Sequence, residues 1–303
     1  MSGYHDPIDA FRDAMADGGV PPPDHINPDG RLHRFHVEGD KCGSHNGWYL
    51  LHLDKVPAGA FGNWKSGDQG TWCAKSRSSM TCQDRANLAA MVEQSRRQRD
   101  AEMVQRQGQS SWRAGQIWSR AQPAPESHPY LMRKRILPHG IRQTLSGDLV
   151  IPLWDGTQIT SVQFISKEGE KRFLPGGKIS GCWYPIGEDQ EGQPILIGEG
   201  VATCATLHQE TGLLVLVAFN AGNLMAIARK VRDAYPDKSI IIAGDNDAWT
   251  PGNPGLVKAR AAAIAIRAKL LVPNFEEMDT SAKPTDWNDF YSLQNQVRKE
   301  AAA

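Results

Sequence analysis

The chain has 303 residues, with 34 Lys plus Arg set against 34 Asp plus Glu and 40% hydrophobic side chains. That length supports two or three domains with their own cores, and a formal net charge of zero excludes any inference about partners from overall charge. Five cysteines without a Cys-x-x-Cys pair, and no apolar run of membrane-spanning length, point away from disulfide scaffolds and membranes and toward a reduced, cytoplasmic compartment.

Ile8, Phe11 and Met15 have helical spacing over residues 7–18, and the three prolines from Pro21 to Pro23 force an extended connector. From Gly30 to Trp72 the pattern turns to β. Arg31–Val37, Gly47–Leu53 and Ala60–Trp64 read as three strands of a small antiparallel sheet. Trp48, Tyr49, Phe61, Trp64 and Trp72 are interleaved there with Arg31, Arg34, Lys41, Lys55, Lys65 and Lys75. Such a surface can stack bases and neutralise a single-stranded backbone, with Trp48 and Trp64 as the candidates, although so small a sheet also needs aromatics for its own core. No zinc site is expected. Cys42, Cys73 and Cys82 lack paired spacing, and His33, His36, His45 and His52 fall where strand residues alternate.

Residues 83–120 are polar, Arg-rich and loosely helical, ending at Gln122-Pro123-Ala124-Pro125. Arg96, Arg97, Arg99 and Arg106 read more readily as a solvated helix face than as phosphate ligands. Leu149–Trp154, Ile159–Ile165 and Lys171–Lys178 then read as strands and a basic turn. Residues 133–178 hold eight basic and four acidic residues, whereas 184–247 hold four basic and nine acidic. A basic segment before an acidic one suits phosphate chemistry.

Ile195–Ile197, Leu213–Phe219 and Ser239–Ala243 are short apolar runs separated by helical stretches at Val201–Glu210 and Ala221–Ala234, and an Ala-rich helix from Pro254 to Leu270 precedes a last strand at Leu271–Pro273. Arg229, Lys230 and Arg232 read as solvent-facing. In a parallel sheet with right-handed crossovers the strand carboxyl ends share one edge, so Glu199, after the first strand, and Asp245 and Asp247, after the third, converge there. Three carboxylates on one rim repel unless cations neutralise them, and oxygen ligands suit Mg²⁺ or Mn²⁺.

A strand ending in Glu-Gly, followed two β-α units later by one ending in Asp-x-Asp, resembles the Toprim domain of primases, topoisomerases and certain nucleases. Many members carry Asp four residues after the Glu, where this chain has Thr203. Tyr130-Leu131-Met132-Arg133-Lys134-Arg135-Ile136 and the strands after it resemble the basic subdomain that precedes Toprim in bacterial, phage and plasmid primases, with Arg135 where the family often has Gly. Lys283-Pro284-Thr285-Asp286-Trp287-Asn288-Asp289 resembles the segment that closes many phage and plasmid Toprim domains.

The expected architecture is therefore α/β: an N-terminal β-rich module (1–82), a helical linker (83–125), a basic α+β primase-type subdomain (126–190), a Toprim domain with a Rossmann-like parallel sheet (191–275) and a tail (276–303). The resemblance implies an RNA primase acting on a single-stranded DNA template with ribonucleoside triphosphates, with Glu199, Asp245 and Asp247 as catalytic and metal residues. Asp286 and Asp289 either join the metal rim or cap the last helix. Arg133, Arg135, Lys171, Arg172 and Lys178 would hold nucleic acid or nucleotide. A Toprim-type nuclease and a non-catalytic nucleic-acid-binding regulator remain alternatives, while too little chain follows Asp247 for a topoisomerase. No Gly-x-x-x-x-Gly-Lys-Ser/Thr loop is present, so a replicative helicase would be a separate partner.

Overall fold

The computed structural model describes residues 6–40, 43–54, 56–75 and 81–301, in two units, 1–103 and 104–303. Lys41, Cys42 and Lys55 fall outside the described residues. In the first unit the Asp6 carboxylate accepts from the Ile8 amide at 2.9 Å and starts helix α1 (Pro7–Asp17). Phe11 and Met15, one helical turn apart, are fully buried against a four-stranded antiparallel meander: β1 (His33–Phe35), β2 (Gly47–His52), β3 (Ala58–Asn63) and β4 (Gln69–Cys73).

Alternation along β2 decides the aromatics. Tyr49 and Leu51 turn into the core with Phe11 and Phe61, and Trp72 packs beside them. Trp48 takes the other face and stacks on Trp64 at 5.9 Å. The fourth strand was not expected, because its Gln-Gly-Thr start carries no apolar alternation. Gly70 is there for space: a Cβ at that position would lie 2.5 Å from the Phe61 ring.

Helix α2 (Cys82–Arg120) runs without interruption for 39 residues. Arg96 and Arg97 are exposed and pair with Asp100 and Glu93 one turn away, the solvated face the sequence suggested. In the second unit follow β5 (Gln122–Pro123), α3 (Pro129–Lys134), β6 (Arg142–Gln143), β7 (Leu149–Trp154), β8 (Ile159–Ile165) and β9 (Lys171–Phe173), an antiparallel sheet in chain order. Both of its faces are covered. Leu149, Ile151, Leu153 and Ile165 enter the larger core, while Val150, Val162 and Phe164 pack under Ala114, Ile117 and Trp118 of α2.

The remaining elements are β10 (Tyr184–Ile186), β11 (Ile195–Gly198), α4 (Val201–Thr211), β12 (Val215–Val217), a 3-10 turn (Ala221–Asn223), α5 (Leu224–Ala234), β13 (Ile240–Ala243), α6 (Pro254–Ala265), β14 (Lys269–Leu271) and α7 (Trp287–Ala301). They form a sheet ordered β10-β12-β11-β13-β14, parallel except for β10. Leu196 faces the core shared with α4 and the basic sheet, whereas Ile195 and Ile197 face α5 and α6. Two local expectations are corrected. Helix α6 stops at Ala265 because Arg267 adopts φ 54°, so the last strand begins at Lys269. Lys230 and Arg232 are half-buried rather than simply facing solvent: Lys230 donates to the Gly181 carbonyl at 2.7 Å, and Arg232 donates to the carbonyls of Ile266, Tyr235, Pro236 and Lys238.

Candidate active site

Strand register brings the acidic residues together. Gly198 of β11 is level with both Val217 of β12 and Ala243 of β13, and neighbouring strands lie ~4.8 Å apart. Glu199 and the Gly244-Asp245 pair therefore leave adjacent strands at the same edge. The Glu199 carboxylate accepts from the Ala221 amide, at the turn that follows β12. Burial raises the pKa of Glu199, the nearby Asp247 carboxylate raises it further, and Lys171 and Lys258 oppose the rise. Asp247 lies against the start of α6, where a Cβ on Gly255 would stand 2.7 Å from its Oδ2. The positive end of the helix favours that carboxylate.

Asp245 is the most perturbed of these carboxyls. Burial, then the charges of Asp286, Glu199 and Asp247, push its pKa up to about 8 against the pull of Lys171. Its Oδ1 is buried without a hydrogen-bond partner. A buried, unpartnered carboxylate oxygen is costly unless a cation or proton occupies it.

The tail closes the rim. Asp286 accepts from the Asp289 amide at 2.8 Å, and Asp289 accepts from the Thr285 amide at 3.1 Å, a reciprocal cap on α7. Burial raises the pKa of Asp286, as does Asp289, with Lys134 opposing. Asp286 thus caps the helix and also faces Asp245. Asp289 instead turns to Lys134 at 3.6 Å. Asn288, buried between them, donates to the Lys134 carbonyl at 2.6 Å and to Thr206 Oγ1 at 2.9 Å, tying α7 to α3 and α4. Thr203 is buried within α4.

The basic candidates divide. Lys171 leaves the edge strand β9 toward the rim, its Nζ 3.9 Å from where a Gly200 Cβ would stand, and its charge acts on Glu199, Asp245 and Asp286. Arg172, next in the strand, takes the other face, pairs with Asp148 at 2.7 Å and covers the Phe164 ring. Arg133 donates to the Lys167 carbonyl at 3.1 Å and lies over Tyr130. Arg135 is exposed at the end of α3 with φ 54°, the left-handed conformation that favours glycine. Lys178 is half-buried near Asp155. In the first unit Trp64 is 51% exposed, stacks on Trp48 and carries the Arg34 guanidinium at 4.4 Å. Lys134 and Lys258 were missed by the sequence reading, since nothing in their local pattern separates them from other surface lysines.

The donor set fits a hard divalent cation: carboxylate oxygens only, one of them orphaned. Among the described residues no three His, Cys, Asp or Glu side chains are placed to cage an ion unaided.

Residues 194–295 match the Toprim domain model. This stretch is a Toprim domain. Over 89% of its length the chain is also 36% identical, across 285 residues, to a DNA primase TraC of Escherichia coli, and 36% identical, across 292 residues, to a second Escherichia coli DNA primase TraC. It spans only 20% and 26% of those two relatives. A solved complex of bacteriophage T7 lagging-strand DNA polymerase with primase domains of two gp4 subunits aligns with 54% of this chain and 79% of that one, at 16% identity and a TM-score of 0.36, too low to support an argument. Toprim primases generally use divalent metal ions, and among the described residues no helix is long and apolar enough to cross a membrane.

Proposed function

We propose that the chain synthesises short RNA primers on single-stranded DNA by nucleotidyl transfer dependent on Mg²⁺ or Mn²⁺. The observation that carries this reading is the orphaned, buried Asp245 carboxylate on a rim with Glu199, Asp247 and Asp286; the likeness to the TraC primases supports it.

Asp245 and Asp247 would hold the cation, with Asp286 as an auxiliary oxygen. When bound, it supplies positive charge where the triphosphate and the leaving pyrophosphate carry negative charge. Glu199, its pKa raised by burial, is suited to take the proton from an attacking 3′-hydroxyl. Lys171 is placed to neutralise phosphate oxygens beside the rim. Arg133, Arg135, Arg172 and Lys178 would hold template or primer backbone, and Trp48 and Trp64 would stack template bases. We assign the basic segment 126–190 and the Toprim stretch 191–275 as the working pair, with 1–82 as a template-binding module. A replicative helicase is proposed as a separate partner chain.

Incubation with single-stranded template, labelled ribonucleotides and Mg²⁺ or Mn²⁺ tests this. Extension products that vanish in Asp245→Asn while the fold persists are expected. Degradation of the template instead would favour the nuclease alternative, and retention without turnover would favour a binding regulator.

A further inference from the structure

The segment between β13 and α6 runs from Gly244 to Asn253, longer than the ~2–6 residues such connections commonly use. It is laced in place. The Asn246 amide donates to the Thr285 carbonyl at 2.7 Å, and the Asn246 side chain donates to the Pro273 carbonyl at 3.2 Å and accepts from Asn253 at 2.9 Å. On this segment, two residues beyond Asp247, stands Trp249, which is 48% exposed. Its indole nitrogen donates to the Pro284 carbonyl at 3.1 Å, two residues before Asp286. The ring is thereby pinned at the junction of the two segments that deliver Asp245, Asp247 and Asp286. Two peptide units separate its Cα from that of Asp247 by at most ~7.6 Å.

The indole N–H is the only polar group of tryptophan, and here it is already satisfied. What the side chain still offers solvent is aromatic face. A fixed aromatic face beside carboxylates suited to a cation, with Lys171 and Lys258 acting on the same rim, matches a ligand that is polyanionic at one end and flat and aromatic at the other. We infer that Trp249 stacks on the base of the nucleotide whose phosphates occupy this rim. This rests on the nucleotidyl-transfer reading of the same site, which assigns no residue to the base. Stacking tolerates every base because each has a π-face, so the contact supplies affinity rather than base choice.

The test is steady-state primer synthesis by the full chain, with KM measured separately for nucleotide and for template oligonucleotide, together with calorimetric titration of ATP and Mg²⁺ without template. Trp249→Ala is expected to raise nucleotide KM by about 5- to 100-fold, with kcat and template KM little changed. Trp249→Phe, which keeps a face but loses the N–H, is expected to stay near wild type. An unchanged nucleotide KM in Trp249→Ala overturns the inference, as does Trp249→Phe behaving like Trp249→Ala, which would make the ring only a loop anchor. A change confined to template KM overturns it too. Should Trp249→Ala not fold, Trp249→Leu restores bulk without a stacking face: a raised KM supports stacking and an unaltered one overturns it. A wild-type chain that binds ATP but makes no primer sinks the primer reading alone; the Ala and Phe contrast in ATP binding then decides the stacking contact by itself.

Discussion

At the scale of single residues, Asp245 trades stability for a charge. Its folded pKa of about 8 lies above the ordinary 3.8, so the folded state holds the proton more tightly than the unfolded one. The stability this contributes is fully present below pH 3.8 and is lost as pH rises through about 8. Metal-free protein should therefore lose Tm between those values, and Asp245→Asn should flatten the fall and raise Tm at neutral pH. A variant whose Tm tracks wild type across this range would show that the carboxylate is not under the strain described. Arg135 offers the opposite case, a cost without evident return. It is exposed in the left-handed region that favours glycine, so Arg135→Gly should stabilise the fold by ~0.5–1 kcal/mol, read by denaturant melting. If template affinity falls at the same time, the guanidinium earns its place by holding nucleic acid.

At the scale of elements, strands with both faces buried were legible and the shortest pairings were not. β7 and β8 carry the bounds expected from sequence because apolar residues of each, such as Leu149, Val150, Ile151, Val162, Phe164 and Ile165, pack into the two covering layers. β4, β5, β6 and β10 escaped notice: each is short or glycine- or proline-bearing, and its pairing is set by a neighbour rather than by its own pattern. The rim itself was readable in Glu199, Asp245 and Asp247, because parallel register makes strand ends level whatever lies between them. Its supports were not. Lys134 and Lys258 act on the rim through tertiary packing, which no local spacing encodes. Asn288 belongs to the same class, a buried amide stitching three helices. Asn288→Ala leaves the Lys134 carbonyl and Thr206 without their donor, and a loss of ~1–3 kcal/mol is expected. Calorimetry on the full chain checks it, and a loss below a few tenths would mean water replaces the amide freely.

At the scale of the whole molecule, the two units have separate cores, one around Phe11, Tyr49 and Phe61 and the others within residues 104–303. Each can unfold by its own cooperative transition. The acidic rim lies wholly in the second unit, so a cation held there would bind the folded form of that unit and not its unfolded chain. By mass action, Mg²⁺ or Mn²⁺ at a hundredfold over its dissociation constant stabilises the binding unit by ~2.7 kcal/mol. A scanning calorimetry trace should then show two transitions, of which titrated metal moves one upward and leaves the other in place. EDTA should return it, and Asp245→Asn should abolish the shift while leaving both transitions visible. If metal moved neither transition, or moved both equally in the variant as in wild type, the cation would be binding somewhere other than this rim.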